Sequence, residues 1–319
     1  MTASLNGVVV VDKPVGPSSF GIVSQARRLT GARKVGHGGT LDPAASGVLP
    51  ICFGEATKIA QFLLDADKEY EATIRFGVVT DTYDATGAVT ARAAAGHLTA
   101  AGVEAALGAF RGWIEQRPPA FSALKREGRP LYALARAGEH VEVAARRVRI
   151  DAFDLVSLEG EGSAGPAGSL ALEQPAARVT VACSKGTYIR SLAHDLGAAL
   201  GPGAHLEALR RTRSGPFGLA EAIAPDALGS AAALLISPAD ALRALPSLTL
   251  STPLVLAVSQ GKLVPWRALG EPAPGDGPVR LLDGEGTLVA VATRAAADEP
   301  VRTLRVFARA SERFSQVEV

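Results

Sequence analysis

Sulfur and aromatic side chains are scarce in this sequence, with two cysteines, one methionine, two tryptophans and four tyrosines among 319 residues. Cys52 and Cys183 share no short spacing, which argues against a disulfide framework and a thiolate metal site and fits a reducing, cytoplasmic setting. An excess of charge is missing too: the net charge of +1 argues against a uniformly polybasic nucleic-acid binder. No apolar run is long enough to span a membrane, and Val8 to Val11 lacks the basic segment that precedes a signal peptide core, so a soluble chain without membrane contact is expected. No glycine-rich phosphate loop of the GxxxxGK or GxGxxG type lies at a strand-to-helix junction. His194-Asp195 has no second histidine or acidic cluster at ligand spacing, so no metal is expected.

What is present points to a globular protein. The hydrophobic fraction of 47% suits a packed core, 34 glycines and 20 prolines suggest many turns, and the length favours two domains. The charges are unevenly spread. Residues 1 to 60 hold six Lys/Arg against three Asp/Glu, whereas the last 100 residues hold nine against eleven. Further basic clusters fall at Lys125, Arg126 and Arg129, at Arg146, Arg147 and Arg149, and at Arg210, Arg211 and Arg213. A polyanion can bind one face of such a chain because local field outweighs the total; solvated arginine on element surfaces fits the same pattern.

Residues 7 to 12 read as a strand running into a Pro/Gly turn. A helix follows with Ser18 or Ser19 as its cap, an apolar stripe of Phe20, Ile22, Val23, Ala26 and Leu29, and Gly31 as its stop. Residues 56 to 65 read as a second helix. From Glu69 to Phe76 polar and apolar residues alternate, which predicts a half-buried strand. Gly31 to Pro50 shows neither period and reads as an ordered loop of the kind that carries function. Helices are expected near 99–111, 130–138 and 188–200, strands near 146–158 and 177–184, and a flexible hairpin excursion at 159–169. After an Ala/Leu-rich helical patch at 225–246, short strands around the turn Asp283-Gly284-Glu285-Gly286 predict a small β-rich second domain from about residue 246. The fold class is α+β.

Two segments carry the chemical signal. Gly36-His37-Gly38-Gly39-Thr40-Leu41-Asp42-Pro43 places one carboxylate in backbone that lets a ligand approach closely, although Asp42 also fits a turn residue bonded to its own backbone. Ser184-Lys185-Gly186-Thr187-Tyr188-Ile189-Arg190 runs from a strand into a helix, putting Tyr188 and Arg190 near its start, where an arginine can pair with a carboxylate; core tyrosine and surface arginine remain open there. His37 and His205 are flanked by small residues in expected loops.

Taken together, these segments resemble the TruB-type tRNA pseudouridine synthases. Eight blocks stand in the family's order: Val11 to Pro14, Gly36 to Pro43, Gly54 to Lys58, Lys68 to Tyr70, Thr80 to Asp84, Pro119 to Lys125, Lys185 to Arg190, and Gly203 to Leu206 with Leu209 to Arg211. The resemblance implies a catalytic domain over residues 1–245, built on a mixed, largely antiparallel sheet of the pseudouridine synthase fold. It also implies a small PUA-like RNA-binding β-barrel over 246–319. The implied reaction is isomerisation of uridine 55 in the tRNA T loop, with no cofactor and no metal; help with tRNA folding is a further implied activity.

By the same resemblance Asp42 is the catalytic carboxylate, acting covalently at ribose C1′ or as a base towards a glycal, and Arg190 pairs with it and would hold its charge. Tyr70 stacks on the flipped base and helps move a proton, though its strand pattern equally fits a core residue. Tyr188 and Leu209 line the uracil pocket, and His37 enters the space the base leaves. Lys13 supports the cleft or touches RNA, and Arg210 and Arg211 contact phosphate. The implied partner is tRNA, through its T arm and towards the acceptor stem, bound by a monomer with no obligatory protein partner. Two other readings stay open. One is a noncatalytic RNA-binding or RNA-folding protein. The other is a glycosidase using Asp42, for which the sequence offers no second carboxylate.

Overall fold

The computed structural model describes residues 5–122, 125–126, 129–130, 143–160, 174–270, 277–293 and 299–307. Strand β1 (Gly7–Lys13) opens the chain, and its four valines are all buried. They fail to alternate because both faces are covered: Val8 and Val10 pack with Phe217 and Leu242, while Val9 and Val11 pack with Ile22 and Leu228. Helix α1 (Ser19–Thr30) is capped by Ser18, whose hydroxyl accepts from Gly21 N, and ends at Gly31 with φ 68°. Its buried stripe is Ile22, Val23 and Ala26. Phe20 and Leu29, expected in that stripe, are exposed. Phe20 lies about 200° around the helix from Ile22, and its ring sits beside the Arg27 guanidinium instead.

The span expected as one long loop contains strand β2 (Val35–His37) and the start of β3 (Ala45–Phe53), which pair antiparallel. Only residues 38–44 remain between them. The small residues Ala45, Ser46 and Gly47 begin β3, so hydrophobic periodicity has nothing to register there. The second expected helix divides into a 3-10 turn at Gly54–Ile59 and α2 (Ala60–Asp65). Strand β4 (Lys68–Phe76) has the expected alternation, with Ala72, Ile74 and Phe76 buried. Next come β5 (Val78–Thr80), β6 (Val89–Arg92), α3 (Ala100–Leu107), β7 (Gly112–Gln116), and the short pair β8 (Lys125–Arg126) and β9 (Arg129–Pro130). The helix expected near 130–138 and most of the 159–169 excursion lie outside the described residues.

Strands β10 (Arg146–Glu159) and β11 (Ala176–Cys183), helix α4 (Ile189–Leu200), and strands β12 (Ala204–Ser214) and β13 (Phe217–Gly218) complete the large unit. Its nine-stranded sheet runs β1-β3-β12-β4-β11-β10-β7, with β2 on β3 and β13 on β12. Every pairing is antiparallel except β3 with β12. That parallel junction brings Leu209 beside Ala45 and Arg211 beside Gly47, while β4 sets Tyr70 opposite Arg211. His205, expected in a loop, lies in β12, buried with Nδ1 2.9 Å from Val78 O.

The helical patch after residue 225 is a kinked 3-10 run at Pro225–Ala233 and a single short helix, α5 (Pro238–Ala241). Beyond it stand β14 (Ser247–Thr249), helix α6 (Thr252–Ser259), which the strand-like texture hid, and β15 (Pro278–Leu282), β16 (Leu288–Thr293) and β17 (Arg302–Val306). The Asp283 carboxylate tightens the β15–β16 turn by accepting from Glu285 N and Thr287 N. The four strands form an open sheet in the order β14-β15-β16-β17, so among the described residues the expected barrel is not closed. Leu288, Val291 and Phe307 share one core cluster with Val8, Val10 and Phe217, which fastens this sheet to the large unit.

Candidate active site

Asp42 sits in the loop between β2 and β3, held from four directions. Ser19 Oγ accepts from Leu41 N at 2.8 Å and donates to Leu41 O at 3.0 Å. Ala45 N donates to Asp42 O at 3.0 Å and Gly16 N to Pro43 O at 2.8 Å. Lys13, fully buried, spends its ammonium on Pro14 O and Pro17 O at 2.9 Å and Pro43 O at 3.5 Å. Arg211, 1% exposed, donates to Val48 O, Thr40 O and Gly39 O at 2.8, 3.2 and 3.3 Å. Unpaired buried carbonyls are costly, and two cations meet that need around one loop. Arg211, expected as an RNA contact, is therefore a brace of the loop that carries Asp42, and Lys13, for which support of the cleft and RNA contact were both open, takes the supporting place. Burial also pushes the Lys13 ammonium below its ordinary range, an effect the nearby Asp42 carboxylate opposes.

The second half of the site comes from the start of α4. Gln116 on β7, itself buried, clamps the helix entry by donating to Tyr188 O at 3.0 Å and accepting from Tyr188 N at 2.8 Å. Arg190 then projects towards the loop. One of its terminal nitrogens reaches Asp42 Oδ2 at 3.1 Å and Phe121 O at 3.1 Å; the other reaches Thr82 O at 3.1 Å and Asp84 Oδ2 at 3.4 Å. The arginine side chain is 8% exposed and the Asp42 side chain 45%, so the carboxylate faces an open space with its counter-charge behind it. Asp84 is occupied differently. Its Oδ1 accepts from the Thr82 hydroxyl and from both N and Oγ of Thr86, and the side chain is 11% exposed.

The open space is a cleft of about 330 Å³ lined by Asp42, Tyr70, Tyr188, Arg190, Leu209 and Arg211, together with Lys68. Burial pushes the phenols of Tyr70 and Tyr188 up, so both keep their protons across the neutral range. Lys68 donates to the carbonyls of Leu63, Leu64 and Ala66 at the end of α2, and burial lowers its ammonium to about 8. Three expected site residues stand outside this cleft. Lys13 is beneath the loop. His37 ends β2, its imidazole pushed down by burial and by Arg211. Arg210 pairs with Asp12 at 2.7 Å and lines a separate hollow.

From the sequence, Asp84, Lys68, Gln116 and Ser19 have no expected role in the site. Asp84 and Lys68 lie inside the family-like blocks, so a signal exists for them; Ser19 reads only as a possible helix cap, and Gln116 carries no signal. Among the described residues no group of histidine, cysteine, aspartate and glutamate is arranged to hold a metal ion, and no helix is long and apolar enough to cross a membrane. Asp42 is the one carboxylate among the described residues lining the cleft, and Asp84, which shares its arginine, is not among them, which leaves the glycosidase reading without its second carboxylate.

The sequence profile of TruB family pseudouridylate synthases (N-terminal domain) matches residues 27–189, and that of the tRNA pseudouridylate synthase B C-terminal domain matches 190–245. The tRNA pseudouridine synthase B of Aromatoleum aromaticum is 48% identical over 287 residues, which cover 88% of this chain and 86% of that protein. The protein of the same name from Stutzerimonas stutzeri is 45% identical over 90% of this chain and 91% of its own length. A chain of the solved Cbf5-Nop10-Gar1 complex superposes with a TM-score of 0.72 at 27% identity, covering 94% of this chain and 84% of that one. These matches span both halves of the site, the loop of Asp42 and the helix of Arg190, and the chain belongs to the TruB family of pseudouridylate synthases.

Proposed function

We propose that this protein isomerises uridine 55 to pseudouridine in the T loop of tRNA. The observation that carries the proposal is the Asp42–Arg190 pair at 3.1 Å, with a half-exposed carboxylate facing a cleft walled by Tyr70, Tyr188 and Leu209. The reaction breaks the bond from ribose C1′ to uracil N1, turns the base and rejoins it through C5, so no atom is gained or lost and no group donor is required. One carboxylate next to an apolar and aromatic wall suits that chemistry. The uridine leaves its stack in the RNA at a cost of a few kcal/mol, and the ring of Tyr70 replaces part of the lost stacking.

Asp42 acts at the ribose, either by attacking C1′ or by taking the C2′ proton to give a glycal. A primary isotope effect on C2′ deuteration supports the second route, and its absence the first. Tyr70, protonated at neutral pH, is placed to pass a proton at the base, and Tyr188 and Leu209 receive the uracil. A neutral His37, favoured by its lowered basicity, suits insertion among the loop bases better than a cation opposite phosphate. Arg210, half-exposed beside Asp12, is the phosphate contact retained from the basic cluster.

We divide the protein into a catalytic unit over 1–245 and an RNA-binding unit of PUA type over 246–319, the second extending contact towards the acceptor stem. It acts in the cytoplasm as a monomer, without an obligatory protein partner. The test is incubation of the purified protein with an unmodified tRNA transcript, followed by mapping of pseudouridine. Modification of the T-loop uridine by the wild type and not by Asp42→Ala supports the proposal. Free uracil without pseudouridine indicates a glycosidase, and binding without either product a noncatalytic RNA-binding protein.

A further inference from the structure

The turn that carries Asp84 also holds the one non-glycine residue with a left-handed backbone among the described residues, Tyr83 at φ 64°. A bulky side chain is disfavoured in that region and persists only where its surroundings fix it. Two backbone hydrogen bonds help, from Tyr83 N to Thr80 O at 3.3 Å and from Leu206 N to Tyr83 O at 2.9 Å. The third restraint is the ring, which stacks on His194 with centroids 3.8 Å apart and planes 13° from parallel. His194 Nδ1 is buried and finds no hydrogen-bond partner among the described residues, so stacking, and not a bond at that nitrogen, holds the imidazole. Burial lowers its basicity, with Asp195 opposing, so the ring that stacks is the neutral one.

The placement of this stack matters for the site. His194 follows Arg190 by four residues on α4, one turn along the same face. On the facing turn, the two groups held by one nitrogen of Arg190, Thr82 O and Asp84 Oδ2, flank Tyr83 on either side. The turn and the helix are thus joined twice, by the arginine and by the stack one turn further on. Building on the proposed function, we infer that Tyr83 and His194 form a positioning pair, which sets the Arg190 guanidinium against Asp42 by pinning the Thr82–Asp84 segment to α4. Neither residue lines the cleft of Asp42, so the inferred effect on the reaction runs through Arg190 and Asp42.

Glycine separates this role from a merely structural one, because it relieves the positive φ of Tyr83 while removing the ring. The experiment uses the full chain in excess over unmodified tRNA transcript and reads the single-turnover rate of pseudouridine formation, the tRNA Kd and the melting temperature. Tyr83→Gly and His194→Ala are expected to slow the chemical step about tenfold, through displacement of Arg190, at unchanged Kd. Tyr83→Gly should melt no lower than the wild type. The double variant should be no slower than the slower single variant, since both remove one contact. Tyr83→Phe and His194→Phe preserve a stacked pair and are expected to stay within about twofold of the wild-type rate.

A Tyr83→Gly rate within about twofold of wild type, additive losses in the double variant, or a loss confined to Kd overturns the inference. So does a His194→Phe protein as slow as His194→Ala, whatever Tyr83→Gly does. Wild-type protein that forms no pseudouridine overturns the proposed function and the positioning role with it.

Discussion

Arg190 is the residue on which the site converges, with four oxygen acceptors from three segments of the chain around one guanidinium. A planar group with five donors can meet that arrangement, while a lysine ammonium reaches it only as a point charge. Arg190→Lys is expected to lower the single-turnover rate on the order of a hundredfold, with tRNA affinity within about twofold of wild type, because orientation is lost and charge is kept. Equal losses in affinity would place Arg190 in RNA binding instead. Lys68 makes a pH prediction. Its ammonium falls from an ordinary 10.5 to about 8 in the fold, so below pH 8 both folded and unfolded chains carry the proton and the folded state bears the full penalty of burying it. As pH rises from about 8 to 10.5 the folded chain releases the proton first, and the penalty is relieved. Denaturation of wild type and Lys68→Met across that window should show the wild type gaining stability relative to the variant, by at most about 3 kcal/mol. A constant difference would show that Lys68 keeps its ordinary basicity.

Among the elements, the parallel pairing of β3 and β12 adjoins the loop of Asp42. Gly47 permits it: its φ is 105°, and a Cβ built there would lie 2.1 Å from Arg211 O. Gly47→Ala must push the strands apart or force the backbone, and is expected to destabilise the protein by about 3 kcal/mol. A denaturation midpoint unchanged by this substitution contradicts the tight junction. The elements also show what the sequence could reveal. β4 was readable because one covered face makes Ala72, Ile74 and Phe76 alternate with polar residues, and α1 because Ser18 and Gly31 mark its ends. β2 and the start of β3 were not, since small residues buried in close strand pairing leave no hydrophobic period. The same limit applied to the basic residues. Arg211 reads as an RNA contact because basic side chains are ordinarily exposed, and the carbonyls that claim it come from segments far away in sequence. Asp42 and Arg190 were found through motif blocks; alone, each had an ordinary explanation as a turn residue and a surface ion pair.

At the scale of the whole molecule, a net charge of +1 conceals the basic bias of the first 60 residues, and the final sheet is fastened to the large unit through a shared core. Lys58 Nζ donates to Val306 O at 2.9 Å and Arg305 to Gln61 at 2.7 Å, so charged groups of both units are spent on holding them together. RNA affinity carried by the remaining cations should fall at least about tenfold between 50 and 200 mM salt, through counterion release. The single-turnover rate at saturating tRNA should not change, because Arg190 is sheltered from solvent. A salt-independent Kd would contradict an electrostatic RNA surface.

The most direct test of the central claim is pseudouridine mapping on an unmodified tRNA transcript after incubation with wild-type protein and with Asp42→Ala, alongside tRNA binding by both. The expected result is conversion of uridine 55 by the wild type, none by the variant, and binding by each. An unmodified T loop with wild-type protein, or pseudouridine formed equally well by Asp42→Ala, would contradict it.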